Sequence, residues 1–257
     1  MADSSRIPTN LRMLRILEVL GESERPMTAT EINAHLGLPK QTVHRLCATL
    51  EEEGFLTRYG TSLKFQASRR LRNLGASLLN HSRTHIVRRQ LLTEVARHVR
   101  ETVNFVVPGE AGMHYVDRVE TDWAFRVQLP IGSSVPFHCT ASGKCFLSSL
   151  DPHARDVLLS ALPLDKKTPN THGTIDSLLQ DLERVSAHGY ALDNQEFIAG
   201  MIAIAVPVKD TAGRFIAAVA FHGPTQRLSI DQAERQLPIL LEASQKLSSA
   251  IFAADAY

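Results

Sequence analysis

Thr140-Ala141-Ser142-Gly143-Lys144 is a hydroxyl followed by small side chains and an ammonium group, the composition of a helix start that leaves its N–H groups open. Such a start presents free donors and the positive end of the helix dipole, which favours an anion such as a carboxylate. The G-x-x-x-x-G-K-S/T spacing of a phosphate loop is absent, and so is the G-x-S-x-G of a nucleophile elbow. Plain capping with no ligand is the competing use. A second set of donors, Lys40, Gln41, His44 and Arg45, falls on one side of a short helical stretch and can hydrogen-bond outward.

That second set needs an element to hold it. Residues 28–55, TATEINAHLGLPKQTVHRLCATLEEEGF, read as two short helices meeting at a tight turn. Thr28 and Glu31 stand at capping-box spacing, Ile32 and Leu36 share a face, and Gly37 is a stop. The second helix is expected to start with Pro39 in its first turn and to bury Val43, Leu46, Cys47 and Leu50. This is the pattern of a helix-turn-helix that lays its second helix in the DNA major groove, although an αα-hairpin inside any helical core has a similar pattern. Phe55–Arg58 and Leu63–Gln66 flank Tyr59-Gly60-Thr61-Ser62 as a β-hairpin, a wing from which Arg58 and Lys64 project toward phosphate. Arg15, Lys40, Thr28 and Thr42 complete the candidate DNA contacts. Leu11, Leu14, Leu17 or Ile16, and Leu20 or Val19 predict a first helix within 7–22, capped by Thr9 or Asn10.

Residues 1–68 carry eight Lys/Arg against eight Asp/Glu, residues 69–100 eight arginines against Glu94 alone, and residues 101–257 twelve against eighteen. A basic block between a neutral and an acidic part suits a chain that holds nucleic acid at one end. Arg83, Arg88, Arg89 and Arg97 are expected simply to solvate a helix face. Within 67–81, Leu71, Leu74 and Leu78 form a stripe that packs either against the same segment of a second subunit or back on its own domain. The hydrophobic content of 44% and charged content of 21% are those of a soluble globular protein, and no apolar run of about 18 residues is present, so a cytoplasmic location without a membrane is expected. Three cysteines argue against a disulfide framework.

From residue 83 onward the pattern becomes mixed. A helix with Val87, Leu91, Val95 and Val99 leads into strands at 103–107, 114–119, 125–129, 191–192, 201–208 and 215–221. Helices are expected near 141–150, 152–161, 174–188 and 229–253, with Thr140, Asp151 and Ser229 as caps, Gly189 as a stop and a kink or restart at Pro238. Residues 163–174 are expected as a flexible surface loop. The fold class is α+β: a winged helix-turn-helix (1–66), a linker helix (67–82) and a sensor-like domain with an antiparallel or mixed sheet (83–257).

PTNLRMLRILEVL and MTATEINAHLGLPKQTVHRLCATLEEEGFL in front, with VPFHCTASGKCFLSSL and GYALDNQEFIAGMIAIAVPVKDTAGRFIAAVAFHGPTQRL behind, resemble the IclR family of bacterial transcription regulators over nearly the whole length. The resemblance implies a GAF-like effector domain and dimers or tetramers on an operator in double-stranded DNA. It further implies an effector site at Trp123, Ala124, Val127, Val135, Ala141, Ser142, Asp193, Met201, Ala203, Ala220 and His222. Where many members carry Ser-x-Ser-Gly-Pro, this chain has Ala220-Phe221-His222-Gly223-Pro224. Loss of two hydroxyls and arrival of an imidazole suggest that His222, paired with Asp193 and aided by Ser142, grips a small organic acid, with Trp123 as an apolar wall.

No cofactor or metal is expected. Cys139 and Cys145 with His138, His114 or His222 match no ligand spacing, and redox sensing by Cys145 has no support. An enzyme of small-molecule metabolism with a helical appendage is the alternative, but no catalytic constellation stands at motif spacing and Ser142 has no visible base. A pure dimerisation module leaves the Lys40–Arg45 face unexplained.

Overall fold

A computed structural model describes residues 7–23, 25–81, 83–124 and 129–252, with the side chains of 76–81, 83, 84 and 252 excluded. The chain divides into two compact units between Leu79 and Asn80.

In the first unit a 3-10 turn (Thr9–Leu11) precedes α1 (Arg12–Glu22), so the helix begins later than its periodicity suggests and neither Thr9 nor Asn10 caps it. Helix α2 (Ala29–Leu36) has the full Thr28/Glu31 capping box and ends on Gly37 at φ 63°, where a side chain would be strained. Pro39 is the N-cap of α3 (Lys40–Glu52) rather than a residue of its first turn. The turn between the helices is fixed by Asn33, whose Nδ2 donates to the Leu38 carbonyl at 2.8 Å while its Oδ1 accepts from the Leu38 N–H at 2.9 Å. Strands β1 (Leu56–Arg58) and β2 (Phe65–Ala67) pair antiparallel, and Met27 bridges to Phe65. Ile16, Ile32, Val43, Leu46, Cys47, Leu50, Leu56 and Phe65 form the core between them. Helix α4 (Arg69–His81) follows. Leu71 packs on this core, Leu74 is exposed, and the side chain of Leu78 lies outside the described residues.

The second unit opens with α5 (Arg83–Val99). Its buried face is Arg88, Leu92 and Val95, whereas Val87 is exposed, a rotation from the expected stripe. Arg88 and Arg89 are not mere solvating charges: both reach Asp117, at 3.2 and 3.0 Å, because the buried carboxylate needs counter-charge. The sheet holds β3 (Thr102–Pro108), β4 (Met113–Val119), β5 (Ser134–Val135), β6 (Ala191–Asn194), β7 (Met201–Lys209) and β8 (Phe215–Pro224) in the order β5-β4-β3-β8-β7-β6. Every pair is antiparallel. The five strands expected at 103–107, 114–119, 191–192, 201–208 and 215–221 all form and each gains one to three residues at its ends, β5 had no signal, and the strand expected at 125–129 falls mainly on residues outside those described.

Period-2 alternation gives this sheet two different faces. One carries Ile202, Ile204, Val206, Val208, Val219, Phe221, Val103 and Phe105, packed by Leu92 and Val95 of α5 and by Leu240, Ala243 and Leu247 of α10 (Leu237–Phe252). The other carries Ala191, Ala203, Ala205, Ala218 and Ala220, packed by Ala141 and Cys145 of α6 (Ala141–Ser149) and Val185 of α8 (Ile175–His188). Helix α7 (Pro152–Ala161) is capped by Asp151, and α9 (Ile230–Arg235) by Ser229. Helix α9 ends just before Pro238, and α10 restarts there. Residues 163–174 are not a loose loop: Thr168 and Thr171 are buried, and their hydroxyls donate to the carbonyls of Gln195 and Glu196.

Candidate functional site

Helix α3 offers the first site. Its stripe of Val43, Leu46, Cys47 and Leu50 is buried, and that burial turns Lys40, Gln41, His44 and Arg45 to solvent. Thr42 is half-buried on its flank, as is Lys64 on the wing. Arg15 is exposed on α1 and pairs with Glu18 at 2.8 Å. Thr28 spends its hydroxyl on the N–H of Glu31. Arg58 does not project: its Nε and a terminal nitrogen donate to both oxygens of Glu51 at 2.9 Å, and its guanidinium lies 4.0 Å over the Phe65 ring. The fork closes because β1 runs back beside the last turn of α3, so the charge is used to hold the wing to the helix. Cys47 lies in this core, its thiol pushed up to about 11 by burial.

The second site lies on the alanine face. The first turn of α6 packs so closely on the segment leading into it that a Cβ on Gly143 would stand 2.3 Å from the Phe137 carbonyl oxygen. The Thr140 hydroxyl accepts from the Gly143 N–H at 3.1 Å. Ala141 and Ser142, both buried, start the helix. Across the sheet, Asp193, Ala203, His222 and Thr102 pair in turn and therefore share one row, with Ala205, Ala220, Asn104 and Arg118 in the next. Four expected residues, Asp193, Ala203, Ala220 and His222, thus come together with Ala141 and Ser142 on one face.

The expected pairing of Asp193 with His222 does not form, because strand β7 lies between them and separates their backbones by about 10 Å. Asp193 instead accepts the N–H groups of Glu196 and Phe197 at 2.7 and 3.3 Å through Oδ1. Burial, then the Glu196 carboxylate, pushes its carboxyl up to about 7. His222 meets Asn104, with Nδ2 of the amide 3.1 Å from Nδ1 of the ring. The amide oxygen of Asn104 accepts from Arg118 Nε at 2.7 Å, so its nitrogen is the donor and His222 Nδ1 the acceptor. The ring proton of His222 then sits on Nε2. Asn104 and Arg118 carried no motif; the one available signal was a polar residue at alternating positions of otherwise apolar strands.

Other expected residues lie elsewhere. Val135 is buried on β5 against Phe137 and Leu147. Met201 opens β7 opposite Pro224. Trp123 is 49% exposed, donates from Nε1 to the Arg100 carbonyl at 3.1 Å and lies under the Arg227 guanidinium at 5.0 Å. It lines a cleft with Thr93, Ala96 and Arg97 of α5, on the opposite side of the sheet from α6, and Ala124 is exposed beside it. The chain turns at Thr121 toward α5, which carries the indole away from the alanine face. Val127 lies outside the described residues.

Lys144 defines a cluster of its own. Its Nζ donates to Asp181 at 2.6 Å and to Glu196 at 2.5 Å, and His172 Nε2 stands 3.3 Å from Asp181. Burial lowers the lysine's pKa, but the Glu196 and Asp181 carboxylates outweigh it and leave the ammonium's pKa raised. His172, Asp181 and Glu196 have the ligand types for a metal ion, but the Lys144 ammonium occupies the position a cation would take. Cys139 and Cys145 are buried thiols pushed up to about 12, and Cys145 donates to the Ala205 carbonyl; neither is a reactive or ligating thiolate.

A winged helix-turn-helix joined to an α+β unit whose sheet carries a polar-rimmed alanine face defines a DNA-binding regulator with an effector domain. Residues 77–249 match the model for "Bacterial transcriptional regulator IclR C-terminal" and residues 11–60 the model for "IclR helix-turn-helix domain", and the chain belongs to the IclR family of transcriptional regulators. It is 34% identical to "Probable transcriptional regulator SauR" of Cupriavidus necator over 92% of this chain and 94% of the relative. It is 30% identical to "HTH-type transcriptional regulator KdgR" of Escherichia coli over 93% and 90%. An IclR homolog from Microbacterium hydrocarbonoxydans, solved in complex with 4-hydroxybenzoate, superposes with a TM-score of 0.58 at 26% identity over 96% of this chain and all of that one. These relatives are regulators and not enzymes, which removes the metabolic-enzyme reading. Among the described residues no helix is long and apolar enough to cross a membrane.

Proposed function

We propose that this regulator responds to a small organic acid bound between the start of α6 and the alanine face of the sheet. The reading rests on one arrangement: Ser142 at a helix N-terminus, with His222 and Asp193 at the rim of a floor made of Ala203, Ala205 and Ala220. Helix N–H groups and an imidazole favour an acid, and alanine leaves room for a small organic body. The relative bound to 4-hydroxybenzoate supports this class of ligand.

On the DNA side, Lys40, Gln41, Thr42, His44 and Arg45 of α3 enter the major groove, with Arg15, Thr28 and Lys64 as backbone contacts. The regulator works as a dimer or a tetramer on a palindromic operator, which the two-fold repetition of α3 would match in spacing.

A gel shift with DNA from upstream of its own coding region, with and without carboxylic acids, tests both halves. Binding at low salt with release or tightening by an acid is expected. Binding that no acid changes would remove the effector assignment, and no binding would remove the operator assignment.

A further inference from the structure

The reading above, on which this inference rests, leaves open which group neutralises the acid. Arg118 lies on β4 opposite Asn104, on the alanine face, and is only 5% exposed. Its Nε donates to Asn104, one terminal nitrogen donates to the Leu129 carbonyl, and the guanidinium stands 4.6 Å over the Tyr115 ring. The other terminal nitrogen is buried and has no hydrogen-bond partner. Among the described residues no carboxylate lies within ion-pair distance of it, in contrast to Arg88 and Arg89 on Asp117 or Arg227 on Glu101. A guanidinium stays protonated when buried, and burial without a counter-ion is costly. Burial accordingly lowers the Arg118 pKa from its usual range, and Tyr115 and the more distant Glu120 carboxylate offset this only in part. On the same face the Oδ2 of Asp193 is likewise buried and without a hydrogen-bond partner, and Tyr115, whose ring carries the Arg118 guanidinium, is close enough to feel both charges.

We infer that Arg118 is the acid anchor of the effector site, its open terminal nitrogen donating to a carboxylate oxygen of the ligand. Asn104 holds the guanidinium through its amide oxygen and His222 through its amide nitrogen, so the anchor and the imidazole are set by a single amide. A carboxylate supplies the missing counter-charge, and a neutral amide of the same shape does not. The ligand class is therefore a compact carboxylate rather than a neutral sugar or an amine.

Thermal unfolding of the full-length chain with 4-hydroxybenzoate, pyruvate and acetate, each against its amide, tests this. The parent is expected to be stabilised by at least one acid and not by the amide. In Arg118→Met the acid response should vanish while the ligand-free protein unfolds at no lower temperature, because the uncompensated charge has gone. Arg118→Lys keeps the charge without the fork and should bind that acid about tenfold more weakly. An equal response in the parent and Arg118→Met, or unchanged affinity in Arg118→Lys should the methionine variant not fold, would overturn the anchor while leaving the organic-acid reading intact. No response to any acid in the parent would overturn that reading and the anchor with it.

Discussion

Asp193 and His222 stand in one row of the sheet with Ala203 of β7 between them, each held by a different neighbour. Their separation makes Asp193 a group with one satisfied oxygen and one bare one. Its pKa of about 7 lies above the unfolded value of about 3.9, so the folded state favours the proton. The stability this gives is present in full below about pH 4 and is lost as pH rises through 7. Asp193→Asn keeps the Oδ1 acceptor and should therefore be more resistant to urea than the parent at pH 8, by a few kcal/mol, with the gap closing toward pH 4. Equal urea midpoints for the two proteins at pH 8 would sink this assignment.

Lys144 is the shared partner of Asp181 and Glu196, so its removal leaves the buried Glu196 carboxylate facing the half-buried Asp181. Lys144→Met should cost about 3–5 kcal/mol at neutral pH, measured by denaturant unfolding. The Asp181 carboxyl is opposed by burial but held well below the usual range by His172 and Lys144. Stability from this group is present above about pH 4 and falls as acid protonates it. The variant should therefore lose most of the parent's acid-side slope, and an unchanged slope would count against the cluster as its source.

Arg45 and Arg58 should behave as different kinds of arginine. Arg45, exposed on α3, should cost about 1–3 kcal/mol of operator discrimination on mutation to Ala if it meets a base edge, and weaken all sequences alike if it meets phosphate. Arg58→Ala breaks the fork to Glu51 and should lower thermal stability first, with a salt slope of DNA binding close to the parent's. A slope reduced by about one unit in Arg58→Ala would show that this side chain contacts phosphate after all.

Gly143 is the point where α6 touches the chain beneath it. A methyl group there meets the Phe137 carbonyl, so Gly143→Ala should destabilise the effector domain by about 1–3 kcal/mol or more, despite the better helix propensity of alanine. A calorimetric melt that shifts upward would refute the close approach.

The sequence by itself determined the local structure. Thr28 with Glu31, Gly37, Asp151, Ser229, Gly189 and the break near Pro238 act on backbone groups within a few residues, and each took the role its type and spacing gave it. The exposed face of α3 was equally legible, because a 3.6-residue period fixes which side chains cannot be buried. The resemblance pointed to Asp193, Ala203, Ala220 and His222, which share one face of the sheet. Only the tertiary structure decided which of these meet. Strand order β8-β7-β6 put Ala203 between Asp193 and His222, and the pairing of β3 with both β4 and β8 brought Arg118, Asn104 and His222 into one chain. Lys144 found Asp181 and Glu196 from 37 and 52 residues away, and Arg58 turned back to Glu51 because β1 returns along α3. Caps and periodicity are local constraints written in neighbouring residues, whereas partners across a sheet depend on strand order and register, which no single segment encodes.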